Sequence, residues 1–354
     1  MIITKNNKTM ANPKLEFFRF KLNHKSENYK TFRDFMVETG KATRRQQDNR
    51  IFAALYKYVM EKPKNDFETN DSLKKVVTLI GNTRYNKHYE ERPKPKYPAC
   101  IISGVMNGGP YGKERILTKL GEKDNMSNIT SSQPVLQYYY IFLYLPLDHN
   151  EGFLMVHSDS AEETITQAYR KYVADLFKVG SYKKPVMQTF VPKHFRDEYK
   201  DGAVLQSLSF VNTELSDDME EDNPMREIAG EYEVKVTFTP KGAVKANFDM
   251  FQNVRNFFMR NRLGTEHFSR GLNEFSRCSV STKNEETNTG KIIEWNNLDQ
   301  EILPVVYLKD RVQIGEDGTP VFSSLDTFCH DLFNTQILPE IRPDLNVQRV
   351  DQDA

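Results

Sequence analysis

The residues whose types suggest chemistry most directly are Glu233-Val234-Lys235, with Asp217 and Asp218 upstream. Nucleases of the restriction type hold Mg²⁺ with an Asp and the Glu of an ExK strand, while the Lys orients the attacking water. The residue types fit that reaction, but the pattern around them has a simpler origin. In EYEVKVTF the residues Tyr232, Val234, Val236 and Phe238 share one face and Glu231, Glu233, Lys235 and Thr237 the other, as in any half-buried antiparallel strand. The Pro-Asp turn of such nucleases is missing as well. A metal-dependent nuclease therefore stands as an alternative and not as the first expectation.

Other catalytic patterns are weaker. The seven histidines form no HxH, HxxxH or HExxH spacing. His157 is expected to face solvent at a strand end, with Ser158 or Asp159 capping the next helix. Cys100, Cys278 and Cys329 form no disulfide framework and no CxxC metal site. Cys329 and His330 are neighbours on a helical stretch, so their side chains diverge, and nucleophilic catalysis has no candidate. The glycines of Asn107-Gly108-Gly109-Pro110-Tyr111-Gly112 match neither phosphate-loop spacing and read as a hairpin turn. No cofactor and no metal is expected.

Charge points elsewhere. Lys+Arg and Asp+Glu both number 49, yet residues 1–125 hold about 26 cations against 14 anions and the remainder about 23 against 35. Arg44, Arg45 and Arg50 cluster where a helix should begin, a place where cations oppose the macrodipole. Phosphate contact explains them, with Lys94 and Lys96 as further candidates. A solvated basic face, or attraction between unlike halves or subunits, explains them too. No apolar run approaches the roughly 18–20 residues that cross a bilayer, and no secretory signal opens the chain, so a cytoplasmic protein without membrane insertion is expected.

The elements that would carry these residues follow from periodicity. Gln137 to Gly180 is the densest stretch: a strand from Tyr138 to Leu147, a polar turn, a strand from Phe153 to Val156, then a helix from Glu162 to Lys178. Leu15 to Leu22 alternates as a strand, and Tyr29 to Met60 reads as helix broken near Gly40. Further strands are expected at Lys74 to Ile80, Ala99 to Met106, Arg115 to Leu120, Pro185 to Val191, Ala203 to Thr213 and Glu231 to Phe238. An acidic loop from Glu214 to Asp222 and a helix from Asp249 to Arg262 follow. Arg277 to Thr282 and Lys291 to Trp295 should pair, with Ile302 to Leu308 and Arg311 to Ile314 extending them before a last helix ending at Pro339. The Pro-punctuated segment Arg84 to Pro98 is the best expected boundary. The expected fold is α+β: a central antiparallel sheet covered by helices, with an additional smaller α/β domain. The expected division is a basic N-terminal α/β domain at 1–98, a central sheet-and-helix domain at 99–262 and a C-terminal hairpin and helix at 263–354.

The order of Phe153 to Asp159, Leu176 to Gly180 and Gly230 to Val236, followed by a Phe-rich stretch, resembles the lambda-type prophage Rex exclusion family over about a third of the chain. That resemblance implies a DNA-associating protein of phage exclusion, dimeric and without catalysis of its own. Together with the charge pattern it leads to an expected function: a non-enzymatic nucleic-acid-binding protein of bacterial antiviral defence, acting on duplex DNA through Arg44, Arg45, Arg50, Lys94 and Lys96. The alternatives are the nuclease above and a protein-interaction subunit of a defence complex.

Overall fold

The computed structural model describes residues 13–27, 29–159, 164–215, 231–242, 263–265, 268–270, 277–284, 289–294, 306–309 and 311–345. The expected helix at 249–262 and the acidic loop beyond Leu215 lie outside these residues. In chain order the first strands and helices are β1 (Lys14–Lys21), β2 (Asn23–His24), α1 (Phe32–Glu38), α2 (Asp48–Asn65), β3 (Glu68–Asn70), β4 (Lys75–Thr78), β5 (Lys94–Lys96) and β6 (Ile101–Pro110). There follow β7 (Arg115–Lys119), β8 (Glu122–Ile129), β9 (Gln137–Tyr144), β10 (Glu151–Ser158), α3 (Thr166–Leu176), β11 (Tyr182–Lys183) and β12 (Gln188–Thr189). The remainder comprises α4 (Lys193–Gly202), β13 (Ala203–Leu215), β14 (Glu231–Phe238), β15 (Leu263–Thr265), β16 (Phe268–Arg270), β17 (Arg277–Asn284), β18 (Thr289–Glu294), β19 (Val306–Tyr307), α5 (Phe322–Leu332) and α6 (Leu338–Ile341).

The fold is α+β. The chain divides into a main unit, Met1–Val191 with Val305–Ala354, and a second unit, Pro192–Pro304. The main unit is built on a nine-stranded antiparallel sheet in the order β12-β1-β10-β9-β6-β4-β3, with β19 added to β1 and β5 to β6. At its centre Phe153 stands opposite Tyr144 and Val156 opposite Ile141, so the expected hairpin forms. The second unit contains a four-stranded antiparallel sheet, β14-β13-β17-β18, in which the expected pairing of 277–282 with the strand after it is present.

The central strands read as almost unbroken apolar runs because both faces of the main sheet are covered. On one face Phe20 meets Phe32 of α1 and Phe177, and Phe35 adds to the same ring cluster. On the other, Phe142, Tyr144 and Phe153 all meet Phe333, in the π-helical segment Phe333–Ile337 that joins α5 to α6. Helix α1 begins with a capping box between Thr31 and Asp34 and ends before Gly40, whose φ of 70° only glycine adopts without strain. That glycine is the physical reason for the break between α1 and α2.

Several expectations change in three dimensions. The segment 84–98 is no boundary: β5 lies within it and pairs with β6, and β1, β3 and β4 share the same sheet with the centre of the chain. Val306 and Tyr307 pair with Leu15 and Lys14 instead of extending the hairpin of β17 and β18. Gly108 and Gly109 are not a turn; they continue β6, paired with Val77 and Val76. A Cβ on Gly109 would lie 1.8 Å from the Val135 carbonyl oxygen, so the closeness of the backbone is what demands glycine there.

Candidate functional site

The expected phosphate-binding residues fall on opposite sides of the main sheet. Arg44 and Arg45 occupy the loop between α1 and α2, and Arg50 lies in the first turn of α2. Arg33 of α1 holds that loop from below, donating to the carbonyls of Arg44 (3.3 Å) and Gln46 (3.1 Å) and pairing with Asp48. The backbone is thus fixed while the three arginine side chains are left exposed. Helix α2 buries Ile51, Phe52, Leu55, Val59 and Met60, which turns Arg50, Ala53 and Lys57 outward along one ridge. Lys57 stands about 10.5 Å along the helix from Arg50, at 1.5 Å per residue. Among the described residues, Arg44, Arg45, Arg50 and Lys57 take part in no ion pair. Lys57 was missed from the sequence, although its seven-residue offset from Arg50 is a legible sign that both share an exposed stripe.

Lys94 and Lys96 do not join this group. In β5 the side chain of Tyr97 just beyond the strand meets Phe52 of α2, so the intervening lysines point to the opposite face. Lys94 is exposed there, but Lys96 enters a polar cluster under α5. Its ammonium is 2.9 Å from Asp326 Oδ2 and 2.6 Å from His330 Nε2. Asp326 Oδ1 also accepts from Ser103 Oγ at 3.0 Å and from the Tyr140 hydroxyl at 2.7 Å. Lys96 is thereby neutralised, which removes it from the expected phosphate contacts.

The cluster contains a serine, a histidine and an aspartate, so its chemistry needs stating. Ser103 Oγ lies 3.1 Å from His330 Nε2, within reach of a nucleophile–base pair. A charged Lys96 can only donate, so Nε2 serves as its acceptor, and Ser103 gives its proton to Asp326. Asp326 is itself nearest to Nε2, at 3.6 Å, and so does not orient the ring from the far nitrogen as a triad aspartate would. Ser103 is only 3% exposed. Burial would raise the Asp326 carboxyl, but its neighbours His330, Lys96 and Tyr140 outweigh burial and hold the group well below the usual carboxylate range. Tyr140 is pushed far up by burial beside Cys329 and Asp326. This is a satisfied network that ties α5 to β5, β6 and β9. No sequence signal joins its members beyond the i, i+4 spacing of Asp326 and His330.

His157 departs from expectation most sharply. It is 2% exposed, beside Phe322, and neither ring nitrogen has a hydrogen-bond partner. Burial alone depresses its pKa to about 4, so the ring is neutral at pH 7. Ser158 is not a helix cap; its hydroxyl donates to Glu16 Oε2 at 2.8 Å, and α3 begins only at Thr166, which bonds the same carboxylate. In the second unit Glu233 and Lys235 are both exposed on β14, an edge strand. Asp217 and Asp218 lie outside the described residues, and among those described no group of three or more His, Cys, Asp or Glu side chains could hold a metal ion.

The fold and this surface define an α+β protein with a basic, unpaired ridge on α2. No helix among the described residues is long and apolar enough to cross a membrane. Compared with protein-family models, with curated proteins and with solved structures, the chain matches none.

Proposed function

We propose that the protein binds nucleic acid, duplex DNA in particular, through Arg44, Arg45 and Arg50, with Lys57 continuing the same ridge. The observation that carries this reading is the set of four exposed cations without ion pairs among the described residues, Arg44 and Arg45 in the loop that leads into α2 and Arg50 in its first turn, where it opposes the macrodipole. Ala53 between Arg50 and Lys57 keeps the ridge low, so a phosphate backbone can approach both. Lys94 remains exposed on the other face, where it would contact a different stretch of nucleic acid or none. The setting is cytoplasmic defence against phage, as the resemblance to the Rex exclusion family implies, and the role is binding without catalysis.

Charge distribution supports this reading in a reduced form. The main unit carries a net charge of about +6 and the second unit about −6, half the asymmetry between residues 1–125 and the remainder. Binding therefore depends on the local ridge more than on the field of a whole domain. Four phosphates neutralised on duplex DNA give a log–log salt slope of about −3.6, a loss of ~150-fold in affinity between 50 and 200 mM salt. Replacing Arg44, Arg45, Arg50 and Lys57 together by Ala should flatten the slope by up to that amount with the melting temperature unchanged. An unchanged slope, or no binding by the wild type even at low salt, overturns the assignment. Mg²⁺-dependent plasmid cleavage that disappears in Glu233→Ala would favour the nuclease alternative.

A further inference from the structure

The line of cations on α2 does not stop at Lys57. Lys64, one further heptad along, is exposed as well. At 3.6 residues per turn Arg50, Lys57 and Lys64 stand within about 40° of one another around the helix, and at 1.5 Å per residue Arg50 and Lys64 are about 21 Å apart along it. A cation in the last turn suits the macrodipole, and Lys62 and Lys64 both lie there. The two differ in what they touch. Lys62 is spent on Asp66, 2.8 Å away, whereas among the described residues Lys64 takes part in no ion pair.

Lys64 is held in place without being neutralised. Its ammonium stands 4.8 Å from the centre of the Tyr56 ring, and the Tyr56 hydroxyl donates to the Pro93 carbonyl at 2.9 Å. A ring tied at its far end fixes where the ammonium sits, so less side-chain freedom remains to be lost when an anion arrives. Contact with a ring face, unlike an ion pair, leaves the charge available to that anion.

The stretch between Arg50 and Lys64 is built to position and not to read. It contains no Asn, Gln, Ser or Thr, and the hydroxyls of Tyr56 and Tyr58 both donate to main-chain carbonyls. Such a surface meets phosphates and offers few groups to base edges. Glu61 interrupts it. This carboxylate is exposed close to the same line, four residues after Lys57 and three before Lys64, and takes part in no ion pair among the described residues. A phosphate backbone lying along α2 is repelled at that point.

Resting on the reading of Arg44, Arg45, Arg50 and Lys57 as phosphate contacts, we propose that α2 meets the duplex along its whole length. Lys64 neutralises a further phosphate about 21 Å from the one that Arg50 meets, a span of about six base pairs at 3.4 Å each. Glu61 is set against the phosphates between them and keeps the complex weaker than its cations alone would make it.

Fluorescence anisotropy of the full chain on a 24-base-pair duplex, between 50 and 200 mM salt, tests this. A fifth phosphate raises the expected slope from about −3.6 to about −4.5, so Lys64→Ala should flatten it by ~0.9 and weaken binding ~8-fold at 0.1 M salt. Lys64→Arg should restore both. Lys57 lies about 10.5 Å from Lys64, a full Debye length at 0.1 M, so the loss cannot be transmitted through Lys57 alone. Lys62→Ala, on a cation already paired, should change neither slope nor affinity. Glu61→Gln should tighten binding ~3-fold or more. The inference is overturned by a Lys64→Ala slope within ~0.3 of wild type, by an equal effect of Lys62→Ala, or by unchanged affinity in Glu61→Gln. If the variant lacking Arg44, Arg45, Arg50 and Lys57 has still lost its slope, those outcomes leave the assignment of the ridge standing. A wild-type chain that binds no duplex even at low salt overturns both.

Discussion

Asp326→Ala is the perturbation that most directly tests what the cluster under α5 does. The aspartate accepts from Ser103 and Tyr140 and pairs with Lys96, and both hydroxyl donors belong to buried residues. Ser103 can recover part of its loss only by competing with Lys96 for His330 Nε2, 3.1 Å away. The buried Tyr140 hydroxyl loses a charged acceptor, a cost of ~1.5–3 kcal/mol. The Lys96 pair adds less than ~1 kcal/mol, because Asp326 and Lys96 keep 35% and 40% of their side chains exposed to screening solvent. The expected total is ~2–4 kcal/mol, which for a unit of this size lowers Tm by ~4–16 °C at 2–4 °C per kcal/mol. Asp326→Asn, which keeps one acceptor, should cost about half as much, and Lys94→Ala on the same face should cost under ~0.5 kcal/mol. Scanning calorimetry and urea titration measure all three. A loss below ~0.5 kcal/mol in Asp326→Ala would refute the view that this network holds α5 to the sheet. DNA affinity abolished in a variant that remains folded would instead place the cluster in the interface.

Three further outcomes can be measured independently. The His157 pKa is depressed from its ordinary 6.5 to about 4, so the unfolded chain binds the extra proton and stability falls as pH drops from 6.5 toward 4. That contribution amounts to ~3 kcal/mol by pH 4, and His157→Phe should flatten this limb of a pH–stability curve; an unaltered limb counts against the burial argument. Arg342, 4% exposed, is gripped by Asp148 and Asp344, whose carboxyls are lowered against the opposing effect of burial by hydrogen bonds to the guanidinium. Their stabilisation is complete above the ordinary carboxylate pKa and is lost as pH falls through the depressed one, so Arg342→Leu should lessen the stability lost below about pH 4. It should cost only ~1–2 kcal/mol at neutral pH, because both carboxylates are more than half exposed and are not stranded; a loss above ~4 kcal/mol would contradict that. Gly109→Ala should destabilise by ~3 kcal/mol or more through backbone overlap with Val135, whereas Gly121→Ala, with open space but a φ of 90°, should cost ~1 kcal/mol; equal melting temperatures for the two would refute the close-approach account.

Periodicity determined those parts of this protein in which the information is local. The apolar runs at 138–147 and 153–156, with a polar turn between them, could bury their side chains only as a paired hairpin, and β9 and β10 form it. The spacing of Ile51, Phe52, Leu55 and Val59 likewise follows from which face of α2 meets the core. Gly40 stopped α1 through its own φ. The basic cluster at Arg44, Arg45 and Arg50 was legible because opposition to a helix dipole is also a local property. Tertiary structure alone decided what depends on partners distant in the chain. Lys96 reads as one more surface cation until Asp326 and His330 arrive 230 and 234 residues later to neutralise it. His157 reads as a polar strand end until Phe322 covers it. The two glycines at 108 and 109 read as a turn because nothing in the sequence reports that the Val135 carbonyl passes within 1.8 Å of where a Cβ would stand. Side-chain spacing encodes which face of an element is apolar, but not which other element will cover it. The long-range pairings are chosen by the sheet order, and that order sets which charges are buried together and which remain free for a ligand.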